Sequence, residues 1–260
     1  MGEASYVIGV EISRDRSQRT LGLSQKAYIM KVLERFNMVK CNPNDVPIQK
    51  GDKFSLSMCP KTELERNSMK NFPYASLVGS LMYAQVCTRP DISLAVGMLG
   101  RYQSNPGMGH WSAAKKVLRY LKGTMNKMLT YRHTDQLEVI GYRLDFGGCV
   151  DSRKSTFGYV FALAGGAISW KSAKQTIIAS STMEAEFVAC FEATIQALWY
   201  SKGIKHMEMK YLSVKEEVRK NTVSIEHIMT SANIADPLTK GLPPKTFLKH
   251  ATDMGLEDNH

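Results

Sequence analysis

Three basic residues in the middle of the chain have the spacing of a nucleic-acid contact surface. Lys115, Arg119 and Lys122 follow one another at i, i+4 and i+7, so they share one face of the helix predicted around them. Such a row of cationic groups can contact phosphates, but a solvated basic face has the same pattern. Spacing alone leaves both interpretations open.

A capping box is predicted to open the helix that follows residue 180. Ser181 and Glu184 have the Ser-x-x-Glu spacing, in which the serine side chain accepts a hydrogen bond from the backbone near the glutamate and the glutamate reaches back. Capping is therefore the role that we assign to Glu184. Taken alone, the neighbouring Glu186 and the later Asp236 indicate no more than solvated surface carboxylates.

The composition is that of an ordinary globular protein with a strong positive charge. The chain has 260 residues, of which 43% are hydrophobic and 22% charged, and this length allows one or two domains with a substantial core. The formal net charge is +10, and a basic surface raises the local concentration of polyanions, above all nucleic acid. The charge also fits a merely basic, soluble protein, so the placement of the basic residues has to decide.

The cysteine and histidine patterns predict an intracellular protein without a zinc site. The five cysteines are scattered and form no C-x-x-C pair, as is typical of reduced, structural thiols. The six histidines have no zinc-ligand spacing. The sequence contains no apolar run of about 18 residues or more and no secretory signal, so we expect no membrane partner.

Short strands followed by helices are predicted for the first half. Alternating β-branched residues predict a strand from Tyr6 to Ile12 and a return strand from Thr20 to Leu23. Ser24 is a suitable N-cap for the helix that follows. Further helices are predicted over 74–86 and 92–102, and a third ends at Gly123 and carries an apolar stripe of Trp111, Ala114, Leu118 and Leu121.

After Thr130 the pattern changes to β. Strands are predicted over 137–142, 155–163 and 167–178, then a helix whose small-residue face permits close approach to a sheet. A charged helix over 210–220, a strand over 223–228 and a last helix from Ala235, interrupted near 241–244, complete the order β-β-β-α-(α)-β-α. This order predicts an α/β domain with a mixed sheet and flanking helices, separated from the helical first half near residues 130–137.

Ordered strings along the chain resemble the Pol polyproteins of copia-type LTR retrotransposons. The resemblance to the end of the family's reverse transcriptase lies in the segment 21–36 and in the strings Tyr74-Ala-Ser-Leu-Val-Gly-Ser-Leu-Met-Tyr83, Thr88-Arg-Pro-Asp-Ile92, His110-Trp111 and Leu118-Arg-Tyr-Leu-Lys-Gly-Thr124. The resemblance to its ribonuclease H domain lies in Asp151-Ser-Arg-Lys-Ser-Thr-Phe-Gly-Tyr-Val160, Gly166-Ala-Ile-Ser-Trp170, Ser180-Ser-Thr-Met-Glu-Ala-Glu186 and Ile234-Ala-Asp-Pro-Leu-Thr-Lys240. So many motifs in one order reduce the risk of chance similarity far below that of a lone motif.

The resemblance implies two parts. Residues 1–134 correspond to the C-terminal, thumb-like and connecting part of the reverse transcriptase, and residues 135–260 correspond to a truncated ribonuclease H-like domain. In the family, the metal-binding aspartates of the polymerase lie upstream of such a segment. Polymerisation needs those carboxylates to hold the metals, so we expect these residues by themselves not to polymerise DNA.

The ribonuclease H resemblance also implies a metal site. The family cleaves the RNA strand of RNA–DNA hybrids with two Mg²⁺ ions, which carboxylates hold. Glu186 matches the carboxylate on the first long helix, with Glu184 as the near alternative, and Asp236 matches the last one. On the first strand the family usually has two aspartates after Gly-Tyr, and Asp145 matches the second, which is not the essential one. A one-residue slip turns a strand side chain to the opposite face, so Asp145 substitutes only if the register shifts.

The strand that carries the remaining aspartate of the family has no counterpart in this sequence. Trp199 runs almost directly into Tyr200-Ser-Lys-Gly203, which resembles a segment well downstream. Several dozen residues are therefore missing, through a deletion or an artefact of gene prediction. Loss of an internal strand leaves backbone groups unpaired at about 1–3 kcal/mol each. We expect a ribonuclease H-like sheet without its fourth strand, a marginally folded C-terminal domain and no competent Mg²⁺ binding.

Three functions stay open from the sequence. The first is a decayed Pol product without activity, and the second is a weak residual ribonuclease H that uses Asp145, Glu186 and Asp236. The third is a non-catalytic module that binds nucleic acid, an RNA–DNA hybrid by resemblance, and no small-molecule cofactor. Its candidate contacts are Lys115, Arg119, Lys122, Arg153, Lys154, Lys171 and Lys174.

Overall fold

A computed structural model describes residues 3–134, 142–145, 149–202, 218–220, 224, 228–229 and 232–258, with backbone only for 142–145 and 197–202. The strands are Tyr6–Val7 (β1), Val10–Asp15 (β2), Thr20–Ser24 (β3), Lys127–Arg132 (β4), Tyr142–Asp145 (β5), Thr156–Leu163 (β6), Gly166–Lys174 (β7) and Leu256–Asp258 (β8). The α-helices are Lys26–Arg35 (α1), Glu63–Met69 (α2), Tyr74–Cys87 (α3), Ser93–Gly100 (α4), Met108–Gly123 (α5), Thr182–Lys202 (α6) and Pro244–Asp253 (α7). The predicted α/β class is confirmed at this level.

Two antiparallel sheets organise the described residues. The first has the strand order β1-β2-β3-β4-β8, and the second has the order β5-β6-β7. The second sheet and α6 therefore follow the predicted order β-β-β-α. The helix predicted over 210–220 and the strand predicted over 223–228 lie almost entirely outside the described residues. The fourth strand, the ribonuclease H-like fold and the boundary between 134 and 135 stay predictions.

The N-terminal hairpin corrects one prediction. We predicted a single strand from Tyr6 to Ile12, but Ile8 and Gly9 both have positive φ, at 50° and 71°. Two consecutive residues with positive φ form a two-residue turn that matches the twist of the flanking strands. The prediction was wrong because alternation does not reveal such a turn when a β-branched residue occupies its first position. The return strand from Thr20 is confirmed as β3.

The main core lies between α1, α3, α4 and α5. The stripe predicted for α5 is confirmed, since Trp111, Ala114, Leu118 and Leu121 are all buried. The helix predicted over 92–102 is a 3₁₀ turn, Pro90–Ile92, followed by α4. Leu242 and Phe247, from the end of the chain, belong to the same core. The C-terminal segment is therefore packed against the first half.

A buried network of hydrogen bonds and one ion pair, formed by Arg89, Asp91, Tyr120 and Thr124, lies beside this core. Arg89 is 1% exposed, and its Nε and Nη2 atoms donate to the two carboxylate oxygens of Asp91 at 3.0 and 2.7 Å. Its Nη1 and Nη2 atoms also donate to the carbonyl and hydroxyl of Thr124 at 3.2 and 2.6 Å. The Tyr120 hydroxyl donates to Asp91 at 2.5 Å. Burial alone would lower the pKa of Arg89, but the Asp91 carboxylate outweighs burial and raises it.

The small-residue face predicted for α6 is confirmed. Of the predicted Ala189, Cys190, Ala193 and Ala197, Ala189 and Ala193 are at most 5% exposed and pack with Ala185 against the aromatic side chains of β6. Cys190 is half-buried, and the side chain of Ala197 lies outside the described residues. The strand predicted over 155–163 is confirmed as β6. The strand predicted over 167–178 ends at Lys174, because Lys174 pairs with Thr156, the first residue of β6, and later residues have no β6 partner. The strand predicted over 137–142 lies outside the described residues except for its last residue.

The turn between β6 and β7 joins the two sheets. The backbone N–H of Arg132, on β4, donates to the carbonyl of Ala164 in this turn at 2.7 Å, and the N–H of Ala167, on β7, donates to the carbonyl of Met254 at 2.9 Å. A Cβ atom added to Gly166 would lie 2.5 Å from the carbonyl oxygen of Thr130. The backbones therefore approach so closely that only glycine fits at position 166.

The last part of the chain has the predicted interruption. The helix predicted from Ala235 is wrong in its first part, which is a 3₁₀ turn, Asp236–Leu238, and the α-helix (α7) begins only at Pro244, after the 241–244 interruption. After α7 the chain forms β8, which pairs with β4. No periodicity indicated this last strand. Leu238 of the 3₁₀ turn and Ala251 of α7 share one buried cluster with Leu129 of β4 and Val160 of β6, so this part of the chain packs against both sheets.

Candidate functional site

The strand that carries Asp145 contacts both of the elements that carry the other candidate carboxylates. β5 carries Asp145 and contacts both α6, which carries Glu186, and the 3₁₀ turn that carries Asp236. The backbone of Asp145 pairs with Thr156 on β6, and its side chain lies outside the described residues. β5 therefore lies beside both other elements, and a shared site of the three carboxylates stays a prediction.

The capping role predicted for Glu184 is confirmed with one difference. Its backbone N–H donates to the Ser181 hydroxyl at 3.1 Å. Its carboxylate accepts from the backbone N–H and hydroxyl of Ser180, at 2.6 and 2.7 Å, rather than from the N–H of Ser181. The hydrogen bonds from the Ser180 hydroxyl and backbone lower the pKa of Glu184. Since this carboxylate serves the helix end, the exposed Glu186 is the better candidate for contact with a ligand.

Asp236 is buried beside a lysine side chain and is not a solvated surface carboxylate. It is 3% exposed, and its Oδ2 atom lies 3.2 Å from the Lys240 ammonium. His250, fully buried on α7, is also close. Burial lowers the pKa of His250, while the carboxylates of Asp236 and Asp253 oppose that shift.

Sequence reasoning missed Lys240 and His250 as neighbours of Asp236. The four-residue spacing between Asp236 and Lys240 was a usable signal, because residues at i and i+4 lie side by side on a helical turn. His250 had no such signal. Its position depends on the return of α7 onto the 3₁₀ turn.

The described side chains do not fit a pair of Mg²⁺ ions. Magnesium needs a nearly octahedral set of hard oxygen ligands, and a two-metal site needs several carboxylates together. Within the described ranges, no three His, Cys, Asp or Glu side chains are grouped closely enough to hold a metal ion. In addition, the ammonium of Lys240 already neutralises Asp236. We therefore derive no chemical step through Mg²⁺.

The basic face predicted on α5 is partly engaged within the protein. The Lys122 ammonium donates to the carbonyl of Cys41, and the Lys115 ammonium lies 5.7 Å from the centre of the Trp111 ring. Arg119 is half-buried, and its Nε atom has no hydrogen-bond partner among the described residues. Packing of the 41–46 segment therefore uses part of the charge that a nucleic acid would need.

Most of the candidate basic residues of the second half are more exposed to solvent than those on α5. Arg153, Lys171 and Lys174 are exposed, whereas the Lys154 ammonium donates to the carbonyl of Thr176. The Lys171 ammonium lies 5.4 Å from the centre of the Phe157 ring, beside α6. Both exposed lysines lie on β7, which is an edge of the second sheet as far as the structure describes it. This edge carries the accessible positive charge.

Asp151 links the two halves. Its carboxylate accepts from the backbone N–H of Leu56 at 2.9 Å and from the Tyr102 hydroxyl at 2.8 Å. The sequence placed Asp151 in a motif but did not indicate these partners. They lie 95 and 49 residues away, so no local spacing could reveal them.

Comparison with known proteins finds relatives along the whole chain. The retrovirus-related Pol polyprotein from transposon TNT 1-94 of Nicotiana tabacum is 38% identical over 292 aligned positions, which include 100% of this chain and 22% of that protein. The corresponding polyprotein from transposon RE1 of Arabidopsis thaliana is 29% identical, over 98% of this chain and 19% of that protein. An uncharacterized mitochondrial protein of Arabidopsis thaliana is 30% identical, over 77% of this chain and 80% of that protein. No family model and no solved structure matches the chain.

The alignments with the two transposon polyproteins are longer than this chain, as expected if residues of the family are missing from it. This chain spans about a fifth of the transposon polyproteins, at 22% and 19% of their length. Since it has 260 residues, at least 32 of the 292 positions aligned with the Nicotiana tabacum polyprotein have no residue here. Separately, none of the helices described is both long enough and apolar enough to cross a membrane.

Proposed function

Since this chain belongs to the retrovirus-related Pol polyproteins of copia-type transposons, we propose that it binds RNA–DNA hybrids without cleaving them efficiently. The main support for the proposal is that, in the second half of the chain, a candidate metal ligand is buried against a lysine while several basic residues are exposed. The buried Asp236 is paired with Lys240, whereas Arg153, Lys171 and Lys174 are exposed. In the same proposal, residues 1–134 are the end of a reverse transcriptase and residues 135–260 are a truncated ribonuclease H-like domain.

The loss of cleavage follows from charge and from ligand number. The Lys240 ammonium lies 3.2 Å from Oδ2 of Asp236, so a metal ion would have to displace this ammonium from the buried carboxylate. Glu186 and Asp145 alone would leave a hard divalent ion mostly ligated by water. A site of this kind does not align an attacking water and a leaving oxygen in the way that a two-metal clamp does.

Binding follows from the exposed cations. Each phosphate neutralised by a lysine or arginine releases counterions, so the affinity falls with salt, with a slope of about −0.9 per contact on duplexes. Arg153, Lys171 and Lys174 would together contribute a slope of about −2.7. The partner is the sugar–phosphate backbone, so we expect weak dependence on base sequence.

The triple substitution Arg153→Gln, Lys171→Gln and Lys174→Gln is expected to weaken hybrid binding by at least tenfold. It should also reduce the salt slope by about 2 to 3, because three phosphate contacts are removed. Fluorescence anisotropy of a labelled 16-base-pair RNA–DNA hybrid, titrated with protein at several salt concentrations, measures both quantities.

A matched control removes the same charge elsewhere. Lys26, Lys31 and Lys245 are exposed on α1 and α7, and their joint replacement by glutamine should change the affinity less than threefold. If the original chain shows no saturable binding at low salt, or if both triple variants lose affinity equally, the proposed surface is wrong.

Residual ribonuclease H activity is the second candidate. It is favoured by the contact of β5 with both α6 and the 3₁₀ turn, which brings the elements of Asp145, Glu186 and Asp236 together. It needs Asp236 to exchange Lys240 for a metal ion. Cleavage that depends on Glu186 would establish it.

A further inference from the structure

A small pocket lies between the 56–61 segment and the end of α4. Its volume is about 260 Å³. The residues that decide its chemistry are Leu56, Pro60, Lys61, Arg101, Ser104 and Asn105. It thus combines an apolar wall with two cationic side chains, a hydroxyl and an amide, and none of these residues belongs to the surface proposed above.

One side of the pocket is held rigidly. Asp151 fixes the backbone of Leu56 and the hydroxyl of Tyr102 through hydrogen bonds of 2.9 and 2.8 Å. The Tyr102 ring stacks on the buried His110 ring, with 4.1 Å between ring centres. A wall fixed from behind in this way is formed before a ligand arrives, which reduces the entropy lost on binding.

The two cationic groups are available to an external anion. The structure shows no hydrogen bond or ion pair of the Lys61 ammonium or the Arg101 guanidinium to any residue that it describes. Two carboxylates of this region have other donors: Asp151 as above, and Glu65, which accepts from the backbone N–H groups of Lys61 and Thr62 at 2.7 and 3.2 Å. These backbone hydrogen bonds, with a smaller contribution from the Lys61 charge, lower the pKa of Glu65. These carboxylates offset part of the positive charge, so binding should need both cations.

The size and lining of the pocket select one class of ligand. At about 260 Å³ the pocket is slightly smaller than usual small-molecule sites of about 300–1,000 Å³, so it excludes a large cofactor and limits the ligand to the size of one nucleotide or less. Apolar walls accept a base, and cationic side chains accept the phosphate attached to it. The Asn105 amide can both donate to and accept from the edge of a base.

We propose that this pocket binds one unpaired nucleotide of a nucleic-acid strand. The phosphate lies between Lys61 and Arg101, and the base packs on Leu56 and Pro60. Proteins read splayed bases of single strands by stacking and by hydrogen bonds to their edges. The inference rests on the proposed nucleic-acid binding and gives it a second, separate contact site for single strands.

The double variant Lys61→Gln/Arg101→Gln is expected to weaken binding of a labelled 12-nucleotide single-stranded RNA about tenfold. The salt slope should fall by about 1.4, since each contact with a single strand contributes about 0.7. The control Lys26→Gln/Lys245→Gln removes the same charge from exposed positions and should change the affinity less than threefold. Anisotropy titrations of the full chain and both variants supply the measurement.

The outcomes separate this inference from the proposed function. If the original chain binds the RNA strand and the two double variants behave alike, the pocket assignment is overturned. If the chain binds adenosine monophosphate, followed by NMR, but neither the RNA strand nor the hybrid, and Lys61→Gln/Arg101→Gln abolishes that binding, the pocket takes free nucleotides and the proposed function fails. If neither the RNA strand nor adenosine monophosphate binds, the pocket assignment is wrong, and the hybrid titration alone decides the proposed function.

Discussion

Replacing Arg89 with methionine is expected to lower the free energy of unfolding by about 3–5 kcal/mol. The substitution removes the guanidinium that donates to Asp91 and Thr124, and leaves the Asp91 carboxylate, 1% exposed, without its counter-charge. Breaking a buried ion pair from one side costs far more than the pair contributes as a whole, because the remaining charge stays desolvated. Urea denaturation followed by circular dichroism measures the loss.

The companion variant Arg89→Met/Asp91→Asn tests this reason. Since it removes both charges, it should be clearly more stable than Arg89→Met alone, although two ionic groups have been lost. The exposed substitution Lys26→Gln should change the stability by less than about 0.5 kcal/mol. If Arg89→Met lowers the free energy of unfolding by less than about 1 kcal/mol, or if the double variant is less stable than Arg89→Met, the Arg89–Asp91 pair is not the buried ion pair described above.

Replacing Gly166 with alanine is expected to destabilise the junction between the two sheets by about 3 kcal/mol. The added methyl group would lie 2.5 Å from the Thr130 carbonyl oxygen and 2.8 Å from the Tyr131 ring. Neither neighbour is the free end of a flexible side chain, so the β6–β7 turn has to move away from β4. Thermal and urea unfolding measure the overall cost.

The next residue provides the matched control for Gly166. Gly165 has φ +77° and no atom within 4 Å of an added Cβ, so Gly165→Ala should cost only the strain of positive φ, about 1–2 kcal/mol. A local readout comes from Tyr131, because burial raises the pKa of its hydroxyl to about 12. Gly166→Ala should return that pKa towards 10, as followed by NMR of the ring. If the two alanine variants lose the same free energy of unfolding, the close approach of Gly166 to the Thr130 carbonyl is refuted.

Local pattern predicted most of the helices and their buried faces, although it did not indicate α2. The stripe on α5 and the alanine face of α6 were visible because burial repeats with the helical period. The interruption near Gly241 was visible because proline and glycine break a helix locally. The hairpin turn at Ile8 was missed, since positive φ at a β-branched residue has no signal in an alternating pattern.

Contacts between distant parts of the chain were beyond the sequence. The pairing of β8 with β4, the partners of Asp151 and the approach of His250 to Asp236 depend on segments that are far apart along the chain. At the candidate site, residue type and motif identified Glu184, Glu186 and Asp236. They did not indicate that Asp236 is buried against Lys240, which decides what that carboxylate can bind.

The proposed function is the binding of RNA–DNA hybrids without efficient cleavage. The most direct test incubates purified chain with an end-labelled hybrid in Mg²⁺ and in Mn²⁺, beside the variant Glu186→Gln/Asp236→Asn, which reveals contaminating ribonuclease H. We expect saturable, salt-dependent binding and no cleavage above that of the variant. Cleavage by the original chain that disappears in the variant would overturn the proposal, because it would require Asp236 to leave Lys240 and a metal site to assemble on Glu186.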